Sequence, residues 1–417
     1  MTTAHDRYQF TAQYPGPTIV RTEGCELITS TGQRILDGAA GAVVNNIGHG
    51  RQEVVDAVAK AMSQCDYVLP TWTTPSRLEL ADLLVDKWLP AGFNHVFLAG
   101  GGSEANDTAI RLARYHHLAK GQTQRYKVIG RQPSYHGSTL ATLSAGGHNN
   151  RRAGYEPLLS EWPKVPWNDA DALAGAIEAT GPETVSAFIA EPIIGAAAGA
   201  LVAPADYWAR IAEVCHHYGV LIIIDEVMTG FGRTGKRWGF EHDDWGSSST
   251  PGQIPGIRPD ILVAGKGLGG GYVPISVVSA SDAVVDPITE AGKTVMFFTY
   301  SGHDSSCAGA IAVLKILERE KLVEHAALMG ERLQNALHSA FDNHPRITEI
   351  RGRGLMLGME LASGSSIDVV MKALELGLWV YPAGSGTPVP DAILIAPPFV
   401  IEDSHIDRMI DILQRSL

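Results

Sequence analysis

Several short, almost wholly apolar runs stop abruptly at a polar or glycine-rich stretch, and this punctuation constrains the fold more than any other feature. They are Val96 to Ala99, Val128-Ile129, Ala187 to Ala190, Val220 to Ile224 and Ile261 to Ala264. Unbroken apolarity marks strands covered on both faces, as in a parallel sheet. Stretches of helical period lie between them, at Glu104 to Leu118, Ala170 to Thr180 and Tyr207 to Tyr218. The pattern predicts an α/β domain with a doubly wound, mostly parallel sheet. Ligands of such sheets bind beyond the carboxyl ends of the strands. Polar residues gather there: Gly101-Gly102-Ser103, Glu191, Asp225 and Lys266 each follow an apolar run. The texture changes near Ala308. Helical patterning through Phe341 gives way to a strand-like Gly354 to Leu361, a helix near Ser366 to Leu376 and a last helix from Ser404 to Leu417. These features predict a large domain, 51–307, and a smaller α+β lobe from 1–50 plus 308–417. The run Ser247 to Gly252 is expected to be a surface loop.

Composition narrows the functions. With 45% hydrophobic residues, no stretch has the roughly 18 uninterrupted apolar residues of a membrane span. Met1 to Phe10 lacks the apolar core of a secretory signal, so a cytoplasmic protein is expected, with no membrane partner. The net charge of −12 leaves no basic excess for a phosphate backbone, so nucleic acid is not an expected partner. Cys25, Cys65, Cys215 and Cys307 are scattered without a CxxC pair, which reads as reduced thiols. The pairs His116-His117 and His216-His217 would point about 100° apart on a helix, so no metal site is expected.

The chemistry concentrates at the strand ends. Asp225 ends a five-residue apolar run, where an unpaired charge is costly, so it needs a partner; alone it could equally be a cap or a salt-bridge member. Lys266 sits within Ala264-Gly265-Lys266-Gly267-Leu268-Gly269-Gly270-Gly271. Glycines this dense imply a sharp turn or close approach of a ligand, and a lysine there can become a nucleophile, although a solvated loop lysine fits it alone. Gly101-Gly102-Ser103 joins a strand to a helix and would bind phosphate on free N–H groups; a Ser-x-x-Asn N-cap explains Ser103 equally well. Tyr135-His136-Gly137 offers an aromatic face, or a packed loop tyrosine. Gly230 to Lys236 fits G-x-x-x-x-G-K, but Arg237 replaces the required Ser or Thr. Gly265, Gly267 and Gly270 fit G-x-G-x-x-G, but Tyr272-Val273-Pro274-Ile275 follows where a helix is needed. One chemistry uses a lysine nucleophile, a carboxylate for a pyridinium nitrogen, a phosphate cradle and an aromatic face together: that of pyridoxal 5'-phosphate.

Ile224-Asp225-Glu226-Val227-Met228-Thr229-Gly230-Phe231-Gly232-Arg233-Thr234-Gly235, then Lys266 with its glycines and Pro274, resembles the signature of class III aminotransferases of the omega-aminotransferase group. The resemblance runs from about Gly16 to Leu413 and takes in Asp37 to Gly41, Asn46 to Gly50, Gly102 to Asn106, Tyr135-His136-Gly137, Glu191-Pro192, Thr299 to Gly302, Arg351 to Leu355 and Ala396-Pro397-Pro398. It implies the type I aminotransferase fold. Lys266 would hold the cofactor's aldehyde and then move the proton; Asp225 would pair the ring nitrogen; Tyr135 and Val227 would sandwich the ring. Gly102 and Ser103 would bind the phosphate, with Thr299 arriving from a second subunit, so a homodimer or a dimer of dimers is expected. His136 and Glu191 are further cofactor-site candidates.

Two departures from the pattern stand out. Gly101 replaces a frequent Ser or Thr near the phosphate, and Met228 replaces a frequent Gln near the ring's phenolic oxygen. The implied function is ping-pong transamination from an omega- or beta-amino acid or amine to a 2-oxo acid. Aminomutases and amino-lyases on the same fold are the alternative, and a non-catalytic relative would have lost the lysine. Many relatives place a mobile arginine shortly before the Pro-Pro pair, yet Tyr381 to Pro398 holds no arginine or lysine. Arg151 and Arg152, in the loop Gly146 to Gly154, are the replacement candidates for a substrate carboxylate, or else a solvated loop. Val43 stands where some amine-selective relatives carry Trp, which implies a roomier pocket.

Overall fold

The computed structural model describes residues 16–243, 259–386 and 389–417. Met1 to Phe10, expected to lack a signal, and Ser247 to Gly252, expected as a loop, lie outside these. Seven strands form the large sheet: β1 (His95–Ala99), β2 (Lys127–Gln132), β3 (Lys164–Pro166), β4 (Val185–Ala190), β5 (Leu221–Asp225), β6 (Ile261–Ala264) and β7 (Ser276–Ala280). Across the sheet they run β1-β7-β6-β5-β4-β2-β3. The contacts among β6, β5, β4, β2 and β3 are parallel, whereas β7 runs antiparallel to both β6 and β1. Every position of β4, β5 and β6 is buried, as strands this nearly apolar require, Ser186 and the terminal Asp225 being their polar members. β3 and β7 have no such signature. β3 is three residues long, and β7 is interrupted by Ser276 and Ser279, whose hydroxyls donate to the carbonyls of Gly101 (3.0 Å) and His95 (2.8 Å).

The helices Gly102–Ala119, Asp171–Thr180 and Tyr207–Tyr218 return the chain between parallel strands. The carboxyl ends of β1, β2, β4, β5 and β6 therefore share one edge, and the polar segments after them meet there.

The single helical stretch expected from 308 to 341 is two helices, Asp304–Arg319 and Leu322–Phe341, broken at Lys321, whose φ is 53°. An antiparallel sheet follows, ordered Ile347–Arg353, Met356–Leu361, Ala392–Ile395, Tyr381–Ala383. Leu36 and Asp37 pair in parallel with Leu378 and Trp379, which ties the N-terminal strands to the C-terminal part. Helix Asp304–Arg319 packs on helices Gln52–Gln64 and Pro75–Leu83, so the 307/308 joint falls inside a helix. One continuous core spans both parts, with Ile224, Leu314 and Ile395 among its members.

Arg233, on the loop after β5, fastens the two parts. Its Nη1 donates to the carbonyls of Leu355 (3.0 Å) and Pro397 (2.6 Å), and its guanidinium lies 4.6 Å over the Phe399 ring. Burial pulls its pKa down to about 9, against the field of Asp37. Arg233→Ala leaves two buried carbonyls unpaired and a cavity beside Phe399. It should lower unfolding free energy by about 2–4 kcal/mol, read by denaturant titration; a loss under about 0.5 kcal/mol would refute the fastening.

Candidate active site

Asp225 closes β5 and is 4% exposed. Three N–H donors replace the water it has lost: Asn106 Nδ2 and His136 Nδ1 donate to Oδ2, each at 2.8 Å, and the Val227 backbone N–H donates to Oδ1 at 3.1 Å. Because His136 donates through Nδ1, its buried Nε2 has no hydrogen-bond partner and faces Glu191 Oε2 at 4.0 Å, which also has none. Glu191 Oε1 accepts the Tyr135 N–H at 3.0 Å. Burial raises the Glu191 pKa, and His136 and Arg131 oppose this. Glu191 and His136 thus stand behind Asp225 and Tyr135.

By sequence, Asn106 had no role at Asp225, only in the Ser-x-x-Asn cap. Its signal was its place one helical turn after Gly102, which aims it back across the strand ends. The Ser-x-x-Asn cap does not form. Gly101 is the N-cap of helix Gly102–Ala119, and Ser103, inside the first turn, accepts the Ser138 N–H through Oγ at 3.1 Å. The first N–H groups of this helix have no intrahelical acceptor. Gly102 must lack a side chain, since a Cβ would meet Val227 Cγ1 at 2.9 Å, whereas a Cβ on Gly101 would enter open space. A cavity of about 980 Å³ is bounded by Gly100 to Glu104 on one side and by Phe298, Thr299 and Tyr300 on another.

Lys266 follows β6 with φ at 43°, a left-handed conformation that costs a lysine energy. By surface it is half-buried, yet protein surrounds it densely enough that burial is the largest influence on its amine. The pKa falls to about 8; Asp225 opposes the fall, and Arg151 and Arg233 add to it.

The two loop arginines part company. Arg151 lies with its guanidinium 4.2 Å over the Tyr135 ring and donates through Nη2 to the Tyr381 hydroxyl at 3.1 Å. Arg152 Nη1 instead donates to the carbonyls of Leu143, Ser144 and Gly146, which cap the end of helix Leu140–Ala145. The room expected at Val43 is filled: Val43 is 3% exposed and shares an apolar cluster with Met228, Met356, Leu394 and Tyr381. Met228 therefore makes an apolar contact where the family pattern has an amide. Elsewhere, His95, Asp282 and Asp286 bring potential metal-ligand atoms within 4.8 Å of one another on the surface, with His95 Nε2 already 2.9 Å from Asp282 Oδ1.

An amine of lowered pKa, a buried carboxylate, a side-chain-free helix start and an aromatic face at one sheet edge fit pyridoxal phosphate. Asp225 could pair a cationic ring nitrogen, Gly102 and Ser103 could hold the phosphate, and Tyr135 and Val227 could cover the ring faces. These features define a pyridoxal-phosphate enzyme of the type I fold.

Comparison with known proteins agrees. Residues 11–417 match the family Aminotransferase class-III, and the chain belongs to that family. It is 35% identical to the putrescine–pyruvate aminotransferase of Pseudomonas aeruginosa, over 96% of this chain and 90% of that protein. It is 34% identical to the uncharacterized aminotransferase YodT of Bacillus subtilis, over 96% and 95%. Among solved structures it resembles the (S)-enantioselective omega-transaminase of Thermomicrobium roseum (TM-score 0.89, 33% identity, 99% of this chain and 96% of that one). It also resembles the omega transaminase of Pseudomonas jessenii in complex with PMP (TM-score 0.90, 29% identity, 100% and 97%). The protein is a transaminase with pyridoxal phosphate as cofactor.

Only the neutral lysine amine attacks a carbonyl. The rate at which the cofactor-free protein captures pyridoxal phosphate should therefore rise with pH, reach half its maximum near 8 and level off, as followed by absorbance. A rise continuing past about pH 10, as for an ordinary lysine, would contradict the burial effect.

Proposed function

We propose that this transaminase takes its amino group from an omega- or beta-amino acid or a simple amine and passes it to a 2-oxo acid by ping-pong exchange, with Lys266 and Asp225 as its catalytic residues. The observation that carries this is a lysine with its pKa lowered to about 8, within the field of a buried aspartate that already accepts three N–H groups. The donor class is supported by the relatives named for putrescine and for omega-transamination.

Bound pyridoxal phosphate supplies an electron-accepting ring. Asp225 would favour the protonated form of that ring's nitrogen by Coulomb attraction, with Asn106 and His136 fixing its Oδ2 in place. Lys266 Nζ, once freed as an amine, would take the proton from the donor's carbon in the first half-reaction and deliver one to the acceptor's carbon in the second, the amino group and a hydrogen being stored on the cofactor between the two. Gly102 and Ser103 N–H groups would hold the phosphate, and Tyr135 and Val227 would cover the ring faces. In this reading 51–307 is the cofactor-binding part, and 1–50 with 308–417 the smaller part that closes over it through Val43 and Tyr381. Four cysteines without a disulfide suit a reducing cytoplasm, and no described helix is long and apolar enough to cross a membrane.

A homodimer is the proposed minimal unit, with a dimer of dimers as its larger form. Trp72, Met296 and Tyr300 are 60%, 71% and 66% exposed. Arg77 binds the two segments that carry them, donating to the carbonyls of Leu69 and Trp72 on one and of Gly302 on the other. The patch adjoins the cavity at Gly102 and Ser103 through Thr299 and Tyr300. Thr299 lines that cavity within its own chain too, which makes a role in its own site the rival reading.

The half-reactions test the function. Holoenzyme given an amine alone should release one equivalent of carbonyl product, keep the amino group and stop until a 2-oxo acid is added. Continuous turnover on a single substrate would establish a mutase or lyase instead.

Mixed dimers decide the threonine. Pairing a Thr299→Ala chain with a Lys266→Ala chain leaves one site with neither lesion if Thr299 acts across the interface. About half of wild-type activity is then expected, with normal cofactor affinity at the working site; weakened affinity there would place Thr299 in its own site.

A further inference from the structure

A 2-oxo acid brings a carboxylate into a partly desolvated site, and the site must meet it with a cation or several N–H donors. The charged groups whose fields reach the Lys266 amine are Asp225, Arg151 and Arg233. Arg233 is 3% exposed and spends Nη1 on the carbonyls of Leu355 and Pro397. Arg151 differs in every respect. It is half-buried and, among the described residues, forms no ion pair with any carboxylate; its side chain rests on the Tyr135 ring and the Tyr381 hydroxyl. Its Nε and Nη1 have no protein acceptor among those residues.

A guanidinium held by aromatic groups, with no counter-ion among the described residues and with its field reaching Lys266, is organised for an anion brought from outside. His148, next to it, is neutral at working pH because burial brings its pKa down to about 4, and Arg152 is committed to helix-end carbonyls. We infer that Arg151 is the subsite for the carboxylate of the acceptor, and of any donor that carries one, with Tyr381 holding it in place when the substrate has none. This rests on the transfer to a 2-oxo acid proposed above. A bidentate Arg–carboxylate pair fixes the oxo carbon relative to Lys266, whereas an aldehyde or a simple amine makes no use of it.

The test compares pyruvate with propanal as acceptors from one donor, in wild type, Arg151→Ala, Arg151→Gln, Arg151→Lys and Arg152→Ala. Each variant is first checked for wild-type circular dichroism and cofactor content. Arg151→Gln keeps most of the stacking on Tyr135 should the alanine variant fail to fold. In both Arg151→Ala and Arg151→Gln the KM for pyruvate should rise at least tenfold while that for propanal stays within twofold; Arg151→Lys should fall between. The Kd of propionate for holoenzyme, read by tryptophan fluorescence, should rise in parallel. Arg152→Ala should lower Tm and leave the pyruvate-to-propanal ratio unchanged. The inference fails if pyruvate KM moves less than threefold in the Arg151 variants, if both acceptors shift together, or if Arg152→Ala shifts the ratio instead. Wild type that passes no amine to pyruvate would defeat the proposed function, and propionate binding would still judge Arg151.

Discussion

A carboxylate at the end of a five-residue apolar strand has lost most of its water, and everything around Asp225 can be read as an answer to that loss. Asn106 comes from the helix after β1, His136 from the loop after β2, and the Val227 N–H from the turn beyond β5. Three separate crossovers must therefore finish in register before the carboxylate is satisfied. A buried charge left with one partner missing is far more costly than a neutral gap, so this network enforces the alignment of the sheet edge. Behind it, His136 Nε2 and Glu191 Oε2 have no hydrogen-bond partner among the described residues, although Arg131 Nη2 lies 3.7 Å from Glu191 Oε2.

Backbone strain collects around the same site. Ala40, Val43, Phe231 and Lys266 all have positive φ without being glycine. Such residues persist where surrounding contacts over-determine them. For the turn that carries Val43, the contacts are visible: Asp37 Oδ1 accepts the N–H groups of Ala39 (3.3 Å) and Gly41 (2.9 Å), and Oδ2 is 2.9 Å from His49 Nε2. Asp37 itself lies in a strand that pairs with Trp379, just before Tyr381. One short segment thus positions both the apolar cluster around Val43 and the tyrosine that accepts from Arg151.

The neighbouring arginines show how little sequence adjacency says about role. On a single turn of four residues, Asn149–Arg152, one guanidinium turns toward Tyr135 and the other toward the end of helix Leu140–Ala145. The first is available to a ligand, and the second satisfies carbonyls that the helix cannot.

What the sequence determined by itself was the sheet and the chemistry at its edge. β4, β5 and β6 are legible because strands buried on both faces tolerate almost nothing polar, and Asp225 and Lys266 stand out because each ends such a run. Glycine density marked the Lys266 turn for the same reason, since few other residues permit that backbone. Strands β3 and β7 escaped because one is too short and the other hides two serines whose carbonyl partners are distant in sequence. Tertiary structure alone decided that Asn106 serves Asp225, that Gly101 and not Ser103 caps its helix, that Met228 and Tyr381 fill the space beside Val43, and that Arg151 and Arg152 face opposite ways. Each of these depends on where a side chain points once segments far apart in the chain have packed, and periodicity records burial but not direction.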